Sequence, residues 1–212
     1  MRLLLIAAAA GGAALAVGSC ATMSADQCMA GDWSGQGYVD GQQGLTMSRL
    51  EDHAQACAKH GVTPDAAAYA MGRRQGLAHY CTPYRGFEVG RAGSAYAGVC
   101  PGELEADFIY AYRDGQVVHA AEQALSNARG RVDSLGTRLE ELDDKIVAKQ
   151  AEARAEGLTE AQRDQIRNRI AEIRRERADT ERDWRRAQDG IDDAERELRD
   201  VRWRFRDQYG GW

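Results

Sequence analysis

Residues 31–44 read GDWSGQGYVDGQQG, which sets Gly37, Gly41 and Gly44 at spacings of four and then three. That is a helix rhythm, written in a residue that costs a helix interior roughly 1 kcal/mol relative to alanine. The rhythm returns in full at Gly86, Gly90 and Gly93, and in shorter form at Gly72 and Gly76. One compensation fits all three segments: a stripe without side chains lets two helix backbones lie against each other, as small residues do in membrane helix pairs. Trp33, Tyr38, Tyr69, Phe87 and Tyr96 stand ready to fill the space beside such a stripe. Asp32, Asp40, Arg73, Arg74, Glu88 and Arg91 interrupt the segments too often for any of them to span a bilayer. The competing reading is loops, and Asp40-Gly41 alone would suit a hairpin turn. Because the full spacing occurs twice, helices are the expectation.

The second half has a plainer pattern. Val118, Ala121, Leu125, Ala128, Val132, Leu135, Leu139, Leu142 and Ile146 alternate spacings of three and four, an unbroken heptad seam. Gly157 then suits a helix end, and Thr159 with Gln162 forms a capping box for a second helix. Its seam runs Ile166, Ile170, Ile173, Arg177, Thr180, Trp184, Ala187, Ile191, Ala194, Leu198, Val201 and Phe205, with Arg, Glu and Asp crowding the other positions. Two long helices around a tight turn imply an antiparallel pair, the outgoing arm from Val118 to Ala153 reaching roughly 50 Å and the returning one longer. Arg177 and Thr180 weaken the seam, through register control, a partner site or simple tolerance near solvent. The returning arm overshoots, so Trp203, Phe205, Tyr209 and Trp212 are expected to pack back on the base.

Apart from Cys20, which is taken up below, four cysteines, Cys28, Cys57, Cys81 and Cys100, lie before residue 101 and none follows, which reads as two disulfides bracing a small exported helical head. The head reads as one helix over 32–59, a turn at 60–65, a helix to about Tyr80, a break at Cys81-Thr82-Pro83, and a third helix from about Gly86 to Ala97. A continuous first helix puts Cys28 and Cys57 roughly 40 Å apart, too far to bond. With the second helix running back and the third returning, Cys57 pairs with Cys100 and Cys28 with Cys81, one of three possible connectivities.

The first residues, MRLLLIAAAAGGAALAVGSC, combine Arg2 with a short, Gly-interrupted apolar stretch, as a secretory signal does. Val17-Gly18-Ser19-Cys20 resembles the lipobox of bacterial lipoproteins. The resemblance implies cleavage before Cys20, lipid on its sulfur and acylation of the new amino terminus; several acyl chains give durable anchoring. The same resemblance brings a sorting rule in which Asp after the Cys signals inner-membrane retention; Ala21 stands there instead, so the outer membrane, facing the periplasm, is expected. Further along, Gly31-Asp32-Trp33, Gly37, Asp40-Gly41, Gly44, His53, Cys57, Pro64-Asp65, Tyr69, Gly72, Gly76-Leu77, Tyr80-Cys81, Gly86-Phe87, Gly90, Gly93, Tyr96 and Val99-Cys100-Pro101 resemble a family of proteobacterial envelope lipoproteins defined as a domain of unknown function (2799). That resemblance supports the compartment and the helices and brings no activity with it.

The expected organisation is all-α: a lipoprotein signal over 1–19, a lipidated start and linker over 20–31, a Gly-rich disulfide-stapled head over 32–102, an antiparallel coiled-coil hairpin over 103–206 turning near 154–160, and an aromatic tail over 207–212. A net charge of −5, from 28 basic and 33 acidic residues, gives no footprint for nucleic acid. His53, Cys57 and His60 share a helix face at metal-ligand spacing, but an exported Cys57 is better used in a disulfide, leaving only His53 and His60 as a weak metal pair. Asp32 to Gln43 echoes a calcium loop without its acidic ligands, and Asp32 better serves as a helix cap. Ser34, Ser48 and Ser94 have no motif of an activated nucleophile around them, and His79 reads as a buried structural histidine. No cofactor is expected. The leading reading is a non-enzymatic envelope lipoprotein that scaffolds or docks proteins, or self-associates, through its arm. The alternative is a ligand- or metal-binding module, or an enzyme, with its site around Trp33, Asp40, His53, Arg73 and His79. Convergence of those side chains in one concavity would favour it.

Overall fold

The computed structural model describes residues 22–210. Its elements are α1 (Ala25–Ala30), α2 (Trp33–Gln42), α3 (Arg49–Ala58), α4 (Ala66–Tyr80), α5 (Pro83–Arg91), α6 (Gly102–Ala153) and α7 (Glu160–Tyr209), with no strand among the described residues. No helix there is long and apolar enough to cross a membrane. Two compact units divide between Gly76 and Leu77, inside α4. The division therefore precedes the 102/103 boundary read from the cysteines: α5 belongs with the long helices.

The single helix expected over 32–59 is two helices. Gly44 takes a left-handed φ of 70°. Its N–H reaches the Gly41 carbonyl while Leu45 N–H reaches that of Asp40, a glycine-terminated helix end. The third glycine of the opening rhythm is thus a stop, and the first two are the contact stripe. Gly93 ends α5 the same way, with φ 69° and Ser94 N–H bonded to the Val89 carbonyl. The expected linker over 20–31 is also folded from residue 22 on. Ser24 and Gln27 cap α1 reciprocally, and Met23 is buried in a core with Cys28, Trp33, Cys57 and Tyr69.

In each unit a glycine stripe brings two backbones together. A methyl group on Gly37 would collide with the Tyr69 carbonyl, one on Gly72 with that of Ser34, and one on Gly76 with that of Tyr38. In the second unit, Gly86 faces the Phe108 carbonyl, Gly90 that of Tyr112, and Gly115 that of Phe87. Partners advance together along both helices, so α2 runs parallel to α4 and α5 parallel to α6. The same device occurs twice: Gly37, Gly41, Gly44 and Gly76 correspond to Gly86, Gly90, Gly93 and Gly115.

Parallel pairs explain the disulfides, which are Cys28–Cys57 and Cys81–Cys100, with Cα separations of 5.5 and 5.6 Å. The expected pairs Cys57–Cys100 and Cys28–Cys81 are corrected by the break at Gly44. After α2 the chain turns back through α3, so Cys57, ahead of α4, returns to Cys28, ahead of α2. Cys100, ahead of α6, returns likewise to Cys81, ahead of α5. Each disulfide fastens the leading ends of one parallel pair, and each contributes roughly 2–4 kcal/mol.

The hairpin forms as its seam dictates. Val118, Ala121, Leu125 and Leu142 of α6 and Ile166, Ile170, Ile173, Ala187, Leu198, Val201 and Phe205 of α7 are buried. Gly157, with φ 79°, makes the turn, and Thr159 and Gln162 cap α7 reciprocally. Arg177 bonds Asp143 across the helices through Nε at 2.6 Å and Nη2 at 3.1 Å. Arg129–Glu195 and Arg138–Glu176 also cross. A bidentate pair has one geometry, so Arg177 fixes register where the apolar seam is interrupted. At the returning end Tyr209 stacks on Phe87 with centroids 4.1 Å apart and donates to Asp114 at 2.7 Å, beside buried Phe205. Trp203 does not join them: it lies off the seam and is 74% exposed. Cys20 and Trp212 lie outside the described residues.

Candidate functional site

The first unit encloses a polar network. Asp40 comes from the last turn of α2, His53 from the middle of α3 and Tyr69 from α4; they are 3%, 0% and 0% exposed. One oxygen of Asp40, Oδ2, accepts from the Tyr69 hydroxyl at 2.7 Å and meets His53 Nε2 at 2.7 Å. The other, Oδ1, accepts from Gln36 Nε2 at 3.1 Å, one turn earlier on α2. His53 Nδ1 lies 2.7 Å from Thr22 Oγ1, ahead of α1. With Nε2 carrying the hydrogen given to Asp40, Nδ1 accepts the Thr22 hydroxyl, and each of these polar atoms has a partner.

Burial, and after it the hydrogen bond to Asp40, pushes the Tyr69 hydroxyl well above the ordinary phenol range. Tyr69 therefore remains a donor to the carboxylate across the physiological range. Arg73 bonds the Leu45 carbonyl through Nε at 2.8 Å, which clamps the turn that ends α2.

Hydroxyl, imidazole and carboxylate stand here in the order of a proton relay. The relay is enclosed, however. The neighbouring depression, about 410 Å³, is lined by Met23, Ala30, Asp32, Tyr38 and Val39, and Gln36 is the one network member in its wall. The network's chemistry is cohesion. It ties α2, α3, α4 and the chain ahead of α1 to a single carboxylate.

Of the five residues singled out in sequence, Asp40 and His53 bond each other and Trp33 packs in the adjoining core. Arg73 turns to the Leu45 carbonyl, with its charge acting on Tyr69. His79 is exposed and belongs to the second unit, contrary to the expected burial, because the buried stripe at the end of α4 passes through Leu77 and Tyr80. Tyr69, expected as filler beside the glycine stripe, and Thr22, within the expected linker, are the network members the sequence pattern misses. Nothing in the spacing ties residues 22, 40, 53 and 69, though the Ser24–Gln27 capping pattern marks the chain ahead of α2 as folded. His60 is exposed, Cys57 is in a disulfide, and among the described residues no three His, Cys, Asp or Glu side chains cluster to hold a metal. Asp32 caps α2, accepting from Gly35 N–H at 2.8 Å.

These features define an all-helical module of two disulfide-tied, glycine-packed parallel pairs. Residues 32–117 match the family described as protein of unknown function (DUF2799). The match opens at the cap of α2 and closes two residues after Gly115, so it spans both crossings and stops where the arm begins. Neither a curated protein nor a solved structure matches the chain.

Proposed function

We propose that the protein is a lipid-anchored, non-enzymatic component of the bacterial envelope, in which the DUF2799 domain is the membrane-side body and the α6/α7 hairpin spaces or docks other proteins. The hairpin is the observation that carries this reading. Two helices of about fifty residues lie largely outside the family domain, close their apolar seam on each other and turn charged residues outward, as a surface for helix-on-helix contact does. The closed network in the first unit supports it too, since the convergent polar groups there are committed to one another rather than to a cleft. The lipobox-like Val17–Cys20 and Ala21 support outer-membrane placement, facing the periplasm.

Photoreactive residues placed at exposed positions between Leu135 and Ile173 in living cells test the docking role: adducts should concentrate on one face of the hairpin. Uniformly absent arm adducts would remove the proposal's support. A second copy recovered as the partner would identify the docking as self-association, with sedimentation showing a dimer. Labelled palmitate should enter the wild-type protein and be lost in Cys20→Ala.

A further inference from the structure

The strongest unassigned feature is the start of the folded chain. Thr22 is bonded to buried His53, Met23 is 4% exposed, and Cys28 is locked to Cys57. Cys20 lies two residues before Thr22 in the sequence. Two extended residues span about 7 Å, and the headgroup zone of one leaflet is roughly 5–8 Å deep.

We infer that the first unit docks directly on the lipid surface, with the exposed Met29 and Val39 side chains entering the headgroup–acyl boundary beside the anchored residue. This rests on the lipid-anchor reading of Cys20. The geometry is specific. Met23, Ala30 and Val39 line one shallow depression where the described chain begins. Met29, next to Ala30 in the sequence, is 69% exposed and Val39, in that lining, is 44% exposed, so both are available to an apolar phase. Residues 22–45 carry Asp26, Asp32 and buried Asp40 but no Lys or Arg. This stretch therefore supplies no basic residue for attraction to anionic lipid. The contact rests on apolar insertion and the short connection to the acyl chains.

The test uses full-length acylated protein in vesicles of phosphatidylethanolamine and phosphatidylglycerol. An environment-sensitive fluorophore is placed in turn at Met29→Cys, Val39→Cys and Met47→Cys, and quenched by spin-labelled lipid. Met47, 43% exposed, lies beyond the far end of α2, about 15 Å along that helix from Trp33. Quenching should fall in the order 29, 39, 47 and be unchanged by added salt or by omitting phosphatidylglycerol. A flexible Gly/Ser stretch inserted after Ala21 should abolish it at 29 and 39. The mass of the amino-terminal peptide separates the two failures. An unacylated Cys20 overturns the anchor reading and this inference together. An acylated Cys20 with equal or absent quenching at the three sites overturns this inference alone.

Discussion

In the first crossing the ring of Tyr69 ends in a hydroxyl that donates to Asp40; in the second, Phe108 and Val89 stand in the corresponding places within one apolar cluster. The correspondence follows from the glycines. Gly37 faces the Tyr69 carbonyl as Gly86 faces that of Phe108, and Asp40 and Val89 each come three residues after those glycines. Tyr69 and Phe108 are both fully buried, and Val89 packs on the cluster that contains Phe108. A parallel, glycine-packed, disulfide-tied pair thus closes with either filling. What the first crossing has in addition is α3, which brings His53, and the chain at Thr22. The carboxylate there serves to gather those extra pieces rather than to make the crossing itself.

The largest effect should come from breaking the polar filling by one member. Asp40→Ala leaves His53, Tyr69 and Gln36 without their shared acceptor and should cost about 3–5 kcal/mol, read as faster hydrogen exchange in α2, α3 and α4 with the hairpin unaffected. The backbone contacts come next. Gly76→Ala and Gly115→Ala each force a methyl group onto a backbone carbonyl and should cost about 1–3 kcal/mol in their own unit, measured by denaturant unfolding. Changing the filling as a whole should do far less harm. Asp40→Val with Tyr69→Phe copies the second crossing, and with His53→Leu removing the imidazole that would lose its acceptor the triple variant should fall within about 1 kcal/mol of wild type or above it. A triple variant less stable than Asp40→Ala alone would sink the equivalence of the two crossings. The smallest effect concerns Gly130 and Gly190, where an added methyl group meets nothing within 4 Å. Alanine there should stabilise the arm by about 0.5–1 kcal/mol each, seen in its thermal midpoint.

The glycine rhythm was legible because a stripe repeats along one element, and the seams of α6 and α7 for the same reason. The break after α2 was not. Gly44 sits where a third stripe glycine belongs, and only its left-handed φ distinguishes a stop from a contact. The disulfide pairing went wrong with it, since every distance assumed a continuous rod over 32–59. The Asp40–His53–Tyr69–Thr22 network was half legible. Asp40 and His53 stand out as polar residues on helical segments, but their meeting depends on the fold-back of α3, which no local pattern encodes. In the arm, Arg177 looked like a flaw in an apolar seam, because its partner Asp143 is on the other helix.

The unbroken run of α6 has a mechanical consequence. One helix of 52 residues carries both Gly115, seated against the Phe87 backbone, and Leu142, deep in the hairpin seam. Because that crossing is held by backbone contact and the Cys81–Cys100 bond, it acts as a fulcrum with little compliance. Over the roughly 55 Å from Gly115 to the end of α6, a one-degree tilt at the fulcrum moves the far end by about 1 Å. A pull at the turn around Gly157 is thereby delivered, as torque, to the glycine seat.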